Sequence, residues 1–374
     1  MLLLLLACTE QVDVLRVEPT FIYVSLLTTD VGEADTPLPF SSDPAGFDVR
    51  VEVQDANGDA WDYDGDLHVI VRPGKVSGSP VINVTDGVWE GTVDIYNGFG
   101  PTRIWFSDKG DLDSLSERPA SFATGVTDPI YFDQPTIGEM NRGDPATNQL
   151  NKEFAEIRAD DRDVRVAAVG TNGFWVLDMD DELGEHNGLF VYTFSRPDLD
   201  VVVGRRIGLL SGNNQEYLQT TQLSFPTYVV ADDAAIDMPG PVNLEGVDCE
   251  HEVLEGYESV IVELTDVSTP ATFDPATDPD FNEYGQWPLS GGGCEFSVNS
   301  NITVPGYVPE GDQDYTYVRG MLTEIFGNWV ITPRSAEDLS TTAGGPPMEG
   351  AQPPSQPLPP GHTHSDLGHD ACLP

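Results

Sequence analysis

Acidic side chains at alternate positions are the residues whose type and spacing most directly indicate a binding chemistry. Five oxygen-bearing side chains follow one another at short spacing: Asp55, Asn57, Asp59, Asp64 and Asp66. Alternate oxygens on a tight loop can converge on Ca²⁺, which takes six to eight oxygen ligands. The Asp-Ala-Asn-Gly stretch is equally typical of a solvated hairpin turn, and the absence of an EF-hand glycine at Ala60 favours that alternative. Calcium is the predicted cofactor if the oxygens do converge.

A second predicted metal site lies near the C-terminus. His362, His364 and His369 precede Cys372 at spacings that could hold Zn²⁺ or Cu²⁺. The surrounding residues are rich in glycine and proline, so binding there would have to offset the entropy of ordering an extended segment.

A third candidate is a groove that combines aromatic rings with cationic side chains. The predicted groove residues are Trp175, Tyr192, Arg205 and Arg206. Stacking rings beside a cationic track are what single-stranded nucleic acid requires. The chain carries 63 acidic against 17 basic residues, a formal charge of −46. Such a surface repels phosphate backbones, so nucleic acid is disfavoured and a protein or polysaccharide ligand fits better.

No catalytic residues are predicted, and the chain is not expected to be an enzyme. The sequence has no Gly-x-Ser-x-Gly elbow, no phosphate-binding loop with lysine and no His-Glu-x-x-His pair. Carboxylates are too abundant for spacing to single out a catalytic pair.

Cysteine usage favours export. Cys249 and Cys294 flank what reads as one domain, and we predict that they form a disulfide in an oxidising compartment. The alternative is a zinc site that uses both cysteines and His251, but it lacks a fourth ligand at suitable spacing.

The first residues of the chain resemble the end of a bacterial lipoprotein signal peptide. Residues 2–8 read Leu-Leu-Leu-Leu-Leu-Ala-Cys, and the resemblance implies that Cys8 is lipidated. The charged segment that normally opens a signal peptide is missing, which leaves open a start upstream of Met1. The alternative, a buried first strand, fits poorly because the five leucines show no alternation. Thr9 after the cysteine is compatible, by resemblance to known lipoproteins, with sorting to the outer membrane.

The elements that would position these residues are almost all strands. Apolar residues alternate with polar ones over 47–53, and turn pairs such as Asn57-Gly58 and Asn97-Gly98 separate the short strands. This pattern predicts a β-sandwich. Residues 9–137 resemble a bacterial immunoglobulin-like domain, on the segments 51–58, 87–91 and 102–106.

Two further stretches resemble the OB folds found in secreted bacterial proteins, often beside nuclease domains. In residues 150–228 the likeness rests on 168–176, 188–192 and 203–206. In residues 229–340 it rests on three segments of the same kind, 260–264, 318–322 and 326–336. Residues 138–149 read as a linker and 341–374 as a disordered Pro- and Gly-rich tail.

The sequence therefore predicts an all-β protein, lipid-anchored in the outer membrane and facing the periplasm or the surface. Its predicted function is that of a non-catalytic binding or adhesion scaffold. Two alternatives remain: an accessory module that presents nucleic acid or polysaccharide to a separate enzyme, and a metal-binding surface protein.

Overall fold

The structure is a computed structural model that describes residues 21–40, 43–108, 122–141 and 153–341. Strands dominate this part of the chain, and its α-helices are three segments of five or six residues. The predicted all-β fold is confirmed. No helix among the described residues is long and apolar enough to span a membrane.

The N-terminal module is a sandwich of two sheets. Its strands are β1 (Phe21–Leu26), β2 (Ala45–Gln54), β3 (Gly65–Arg72), β4 (Lys75–Val76), β5 (Val81–Val84), β6 (Val88–Tyr96), β7 (Gly100–Ser107), β8 (Gly125–Val126) and β9 (Ile130–Phe132). One sheet has the order β1-β2-β6-β4; the other has the order β5-β3-β7-β8, with β9 also paired to β7. This division matches the two-sheet arrangement of an immunoglobulin-type sandwich.

Alternation in β2 explains how the sandwich forms. Phe47, Val49 and Val51 are buried between the sheets, whereas Asp48 points to solvent. A period of two places every second side chain on one face of a strand, so a single strand can close one side of the core.

A short helix, α1 (Ile137–Asn141), follows the sandwich. It begins with a reciprocal pair of bonds: the Thr136 amide donates to Glu139 Oε2 (2.9 Å), and the Glu139 amide donates to Thr136 Oγ1 (3.1 Å). Met140 is buried in the core of the next module. The segment predicted as a linker, 138–149, therefore begins inside the packed structure, because an apolar residue on a capped turn reaches that core; its remainder lies outside the described residues.

The second module is a Greek-key barrel of six strands, the first two of which share one position in the barrel. Its strands are β10 (Glu153–Ile157), β11 (Val164–Val169), β12 (Gly173–Asp178), β13 (Gly188–Tyr192), β14 (Ile207–Tyr217) and β15 (Thr220–Val230). The order is β10-β14-β15-β13-β12-β11, with β13 and β15 parallel. Strands β10 and β11 follow each other and act as two halves of one barrel strand. An isolated β-bridge between Arg165 of β11 and Arg206, directly before β14, closes the barrel. This is the partly open barrel that the OB resemblance implies.

The third module repeats this plan. Its elements are β16 (Val242–Asn243), α2 (His251–Glu255), β17 (Ile261–Ser268), α3 (Pro279–Tyr284), β18 (Gln286–Pro288), β19 (Phe296–Asn299), β20 (Asp314–Ile325), β21 (Asn328–Thr332) and β22 (Leu339–Thr341). The order is β16-β17-β20-β21-β19-β18, β19 and β21 are parallel, and β22 adds to β20. A bridge between Ser268 and Ser290 closes β17 onto the end of β18.

The second and third modules share an apolar core of their own. Trp175, Leu177 and Phe190 on the outer face of β12 and β13 pack against Ile261 and Met321 of the third module. The β14–β15 hairpin also meets the β20–β21 hairpin, where the Phe326 amide donates to the Leu218 carbonyl (3.0 Å). Because these buried apolar side chains come from both modules, the two barrels form one packed unit.

Candidate functional site

An exposed group of aromatic rings lies beside the interface of the second and third modules. Tyr192, Phe194 and Phe225 form this aromatic surface, with ring centroids 4.4 and 4.7 Å apart. Phe194 is 52% exposed and Phe225 67% exposed. Within the module the stack continues inward to Phe190, whose ring is 6.2 Å from that of Tyr192, so the exposed rings rest on buried ones.

The backbone at the two most exposed rings is strained. Phe194 has φ +62° and Phe225 has φ +50°, a left-handed conformation that bulky residues rarely adopt. Such a conformation costs on the order of 1–3 kcal/mol and persists only where the surrounding structure holds it. Two phenylalanines are thus held in water in an unfavourable conformation, and their mutual contact makes them a candidate binding surface.

The turn between β11 and β12 supports the aromatic surface. The Thr193 amide, next to Phe194, donates to the Asn172 carbonyl (2.9 Å). Asn172 Oδ1 is buried without a hydrogen-bond partner in the described part of the chain. The outer face of the second and third barrel strands and this first turn are where OB folds take their ligands.

The predicted groove residues do not form one groove. Trp175 is only 2% exposed and lies in the inter-module core, so it is not available to stack on a ligand. Arg206 pairs with Asp233, and Arg205 donates to the Ala231 carbonyl (2.8 Å), both at the seam between β11 and β14. Of the four, Tyr192 alone belongs to the aromatic surface. The apolar run 174–177 indicates that both faces of β12 are apolar, but it does not show that another module covers one of them.

The acidic loop near Asp55 is built as a turn. Asp55 Oδ1 accepts the amides of Asn57 (2.8 Å) and Asp59 (3.0 Å), and these bonds lower the pKa of the Asp55 carboxyl. Asp64 accepts from the Asp86 amide (2.9 Å) and Asp66 from the Asn83 side chain (3.0 Å). Among the described residues, no three acidic, histidine or cysteine side chains of this loop come together as a metal-binding group. Calcium binding here stays a prediction.

A second group of side chains that could bind a metal lies where α2 packs near the β14–β15 and β20–β21 hairpins. His251 Nε2 lies 2.8 Å from Glu324 Oε2 and 4.0 Å from Glu255 Oε2, and the three ligand atoms all lie within 4.8 Å of one another. Glu216 and Glu258 interact electrostatically with Glu255. We call these five residues the inter-module cluster.

Burial sets the electrostatics of the inter-module cluster. Desolvation, reinforced by the charge of Glu216, raises the pKa of Glu255 to about 7. Desolvation also raises the pKa of Glu216, and it raises that of Glu258 well above its usual range. Glu258 is held in place by the Thr221 amide of the second module (3.1 Å), so the cluster spans both barrels.

The predicted disulfide is present: Cys249 and Cys294 are bonded with an S–S distance of 2.04 Å. The alternative zinc site with His251 is therefore excluded, and His251 belongs to the inter-module cluster instead. The predicted lipidation residue Cys8 and the tail ligands His362, His364 and His369 lie outside the described residues.

The sequence predicted one residue of the aromatic surface, Tyr192, and no residue of the inter-module cluster other than His251, which it placed in a different site. A signal for the aromatic surface was available, since Phe190, Tyr192 and Phe194 recur at every second position. The inter-module cluster left no such signal, because Glu216 and Glu324 come from segments far from the one that carries His251, Glu255 and Glu258.

Comparisons with known proteins add little. No protein-family model matches the chain, and the search of curated proteins gives no match. Among solved structures, a crystal structure of tripeptidyl peptidase 2 is similar over 41% of this chain and 15% of that one, at 11% identity and a TM-score of 0.20. The match spans a small part of the peptidase, and a likeness of this size carries no argument about fold or activity.

Proposed function

We propose that the protein is a non-catalytic binding scaffold that takes a neutral polysaccharide on the aromatic surface. The observation that carries the proposal is the pair Phe194 and Phe225, exposed and in contact, each on a strained backbone. Together with Tyr192 they form a run of rings at the edge of the OB face, where the third module covers Trp175 and Phe190 but leaves Phe194 and Phe225 exposed; in other proteins that face binds oligosaccharides and oligonucleotides.

The chemistry of the surface favours sugar over nucleic acid. Aromatic rings offer apolar faces against which the C–H faces of sugar rings can pack, and a neutral chain pays no electrostatic cost. Nucleic acid would have to approach a chain of formal charge −46, whose Arg206 is paired with its own Asp233. The acidic composition thus selects among the ligands that an aromatic OB face can bind.

The N-terminal segment indicates where the protein would act. The Leu run ending in Cys8 supports a lipid anchor, and outer-membrane anchoring would present the modules to envelope or environmental polysaccharide. Labelling cells with an alkyne palmitate should mark the full chain and not its Cys8→Ser variant. An unlabelled wild-type chain would remove the anchor while leaving the aromatic surface open to test.

The binding test uses affinity electrophoresis and calorimetry with the full chain against laminarin, dextran and soluble xylan, with alginate and oligo(dT) as anionic probes. Phe194→Ala and Phe225→Ala should each weaken binding to a neutral polysaccharide about tenfold or more, since each removes a central apolar contact. Leu199→Ala is the matched control, because Leu199 is 85% exposed and lies outside the aromatic stack. Binding to oligo(dT) in preference to the sugars, or equal loss in all three variants, would refute the proposal.

A further inference from the structure

We propose that His251, Glu255 and Glu324 form a binding site for a divalent transition metal, with Zn²⁺ the best-fitting ion. The site is separate from the aromatic surface and does not depend on the proposed sugar binding. It shares His251 with the alternative zinc site considered from sequence, but its other ligands are carboxylates of α2 and β20 in place of the two cysteines.

The donor set fits zinc in type and spacing. Zn²⁺ takes histidine nitrogen and glutamate oxygen at about 2.0–2.2 Å, and tetrahedral geometry then places ligand atoms roughly 3.3 Å apart. The observed separations from His251 Nε2, 2.8 Å to Glu324 and 4.0 Å to Glu255, bracket that value. A Ca²⁺ ion would require six to eight oxygens, which this group does not offer.

One ligand atom points to a missing partner. Glu255 Oε2 is buried and has no hydrogen-bond partner among the described residues. A buried polar atom without a partner destabilises the folded state, because it has lost its hydrogen bonds to water. A cation coordinated by Glu255, His251 and Glu324 would satisfy that oxygen.

Charge balance leads to the same inference. The cluster places Glu216, Glu255 and Glu324 near one imidazole, and Glu258 interacts with Glu255 and Glu216. No lysine or arginine in the described ranges forms an ion pair with any of the four. Adjacent buried carboxylates must bind protons or a cation. A divalent ion would neutralise two of these charges at once.

The surroundings provide access and support. His251 is half-exposed, so an ion can enter from its side, whereas the Glu324 side chain is buried and fixed on a central strand. The Glu324 carbonyl accepts a hydrogen bond from Thr220 Oγ1 of the second module. The Glu324 amide lies 3.5 Å from Oε1 of Glu258 in the third module, so β20 contacts both modules at this ligand. Metal binding would thereby stabilise the unit that the two barrels form.

The experiment must separate this site from the tail histidines. The starting protein is the full chain with His362, His364 and His369 replaced by alanine, freed of metal with EDTA and dialysed. Calorimetry with Zn²⁺, Mn²⁺, Ca²⁺ and Mg²⁺ in 0.5 M NaCl then measures specific binding above the background of an acidic surface. We expect one Zn²⁺ per chain in the micromolar range or tighter, and a rise in Tm that grows with Zn²⁺ concentration.

Substitutions assign the ligands. His251→Ala and Glu324→Gln should each weaken Zn²⁺ binding at least 100-fold, whereas Glu252→Gln, on the exposed face of the same helix, should change it less than threefold. Co²⁺ bound in place of zinc should give the intense visible absorption of a tetrahedral site, and His251→Ala should abolish it even if folding were slightly perturbed. Unchanged Zn²⁺ stoichiometry in His251→Ala, or equal binding of Zn²⁺ and Mg²⁺, would overturn the proposal.

Discussion

Glu255 should make the metal-free protein less stable as the pH rises. Its folded-state pKa is about 7, raised by burial and by Glu216, against 4.5 in the unfolded chain. The folded state therefore retains a proton that the unfolded state releases above pH 4.5. Stability that is fully present below pH 4.5 is lost as the pH rises through 7.

The magnitude follows from the difference in pKa. The difference between a pKa of about 7 and one of 4.5 corresponds to roughly 3.4 kcal/mol, since each tenfold change in proton affinity is worth about 1.36 kcal/mol. About a fifth of the Glu255 side chain is exposed and neighbouring carboxylates share the proton, so we expect about 2 kcal/mol. Glu255→Gln, which removes the charge and keeps the shape, should recover that amount at pH 8 relative to pH 4.5. For a unit of 150–250 residues this corresponds to a relative gain in Tm of roughly 4–8 °C.

The assay is urea unfolding followed by tryptophan fluorescence at pH 4.5, 6, 7 and 8, with EDTA present throughout. Comparing the free energy of unfolding between pH values cancels any pH-independent effect of the glutamine side chain in Glu255→Gln. Glu252→Gln, at an exposed position of the same helix, should follow the wild-type pH dependence. The reasoning is refuted if the difference between wild type and Glu255→Gln stays within about 0.5 kcal/mol from pH 4.5 to 8, a spread ordinary for surface changes.

Three further outcomes are expected. Replacing Cys249 and Cys294 together by alanine should cost about 4 kcal/mol in urea unfolding, since the disulfide closes a separation of 45 residues; a loss below about 1 kcal/mol would contradict this. Gly204→Ala should cost about 2 kcal/mol or more, because φ is +85° and the new Cβ would lie 2.0 Å from the Ile236 carbonyl oxygen, whereas Gly208→Ala, with no atom closer than 3.7 Å, should be close to neutral. Raising NaCl from 0.1 to 2 M should raise Tm, because salt screens the repulsion of a chain with formal charge −46; a fall in Tm would refute that account.

The fold was accessible from sequence because local patterns encode it. The alternation at Phe47, Val49 and Val51 predicts a half-buried strand, and turn pairs such as Asn57-Gly58 mark where strands end. The disulfide was accessible as well, since Cys249 and Cys294 flank one module.

The candidate sites were less accessible because they depend on contacts between modules. Trp175 lies in a continuous apolar run, residues 174–177, and only the packing of the third module shows what covers its face of the strand. Glu216, Glu255 and Glu324 lie far apart in a sequence crowded with carboxylates, so no spacing distinguishes them. Contacts between distant segments decide both whether Trp175 is covered and which carboxylates meet, and local sequence patterns do not encode such contacts.

The position of the disulfide links two chemical events in the life of the protein. Cys249 stands two residues before His251, at the start of a five-residue helix whose N-cap makes no side-chain hydrogen bond. A helix this short has little stability of its own, so its covalent tether and the buried Leu254 must fix its direction. Reduction of the disulfide should therefore loosen the orientation of His251 and weaken the zinc binding proposed for it.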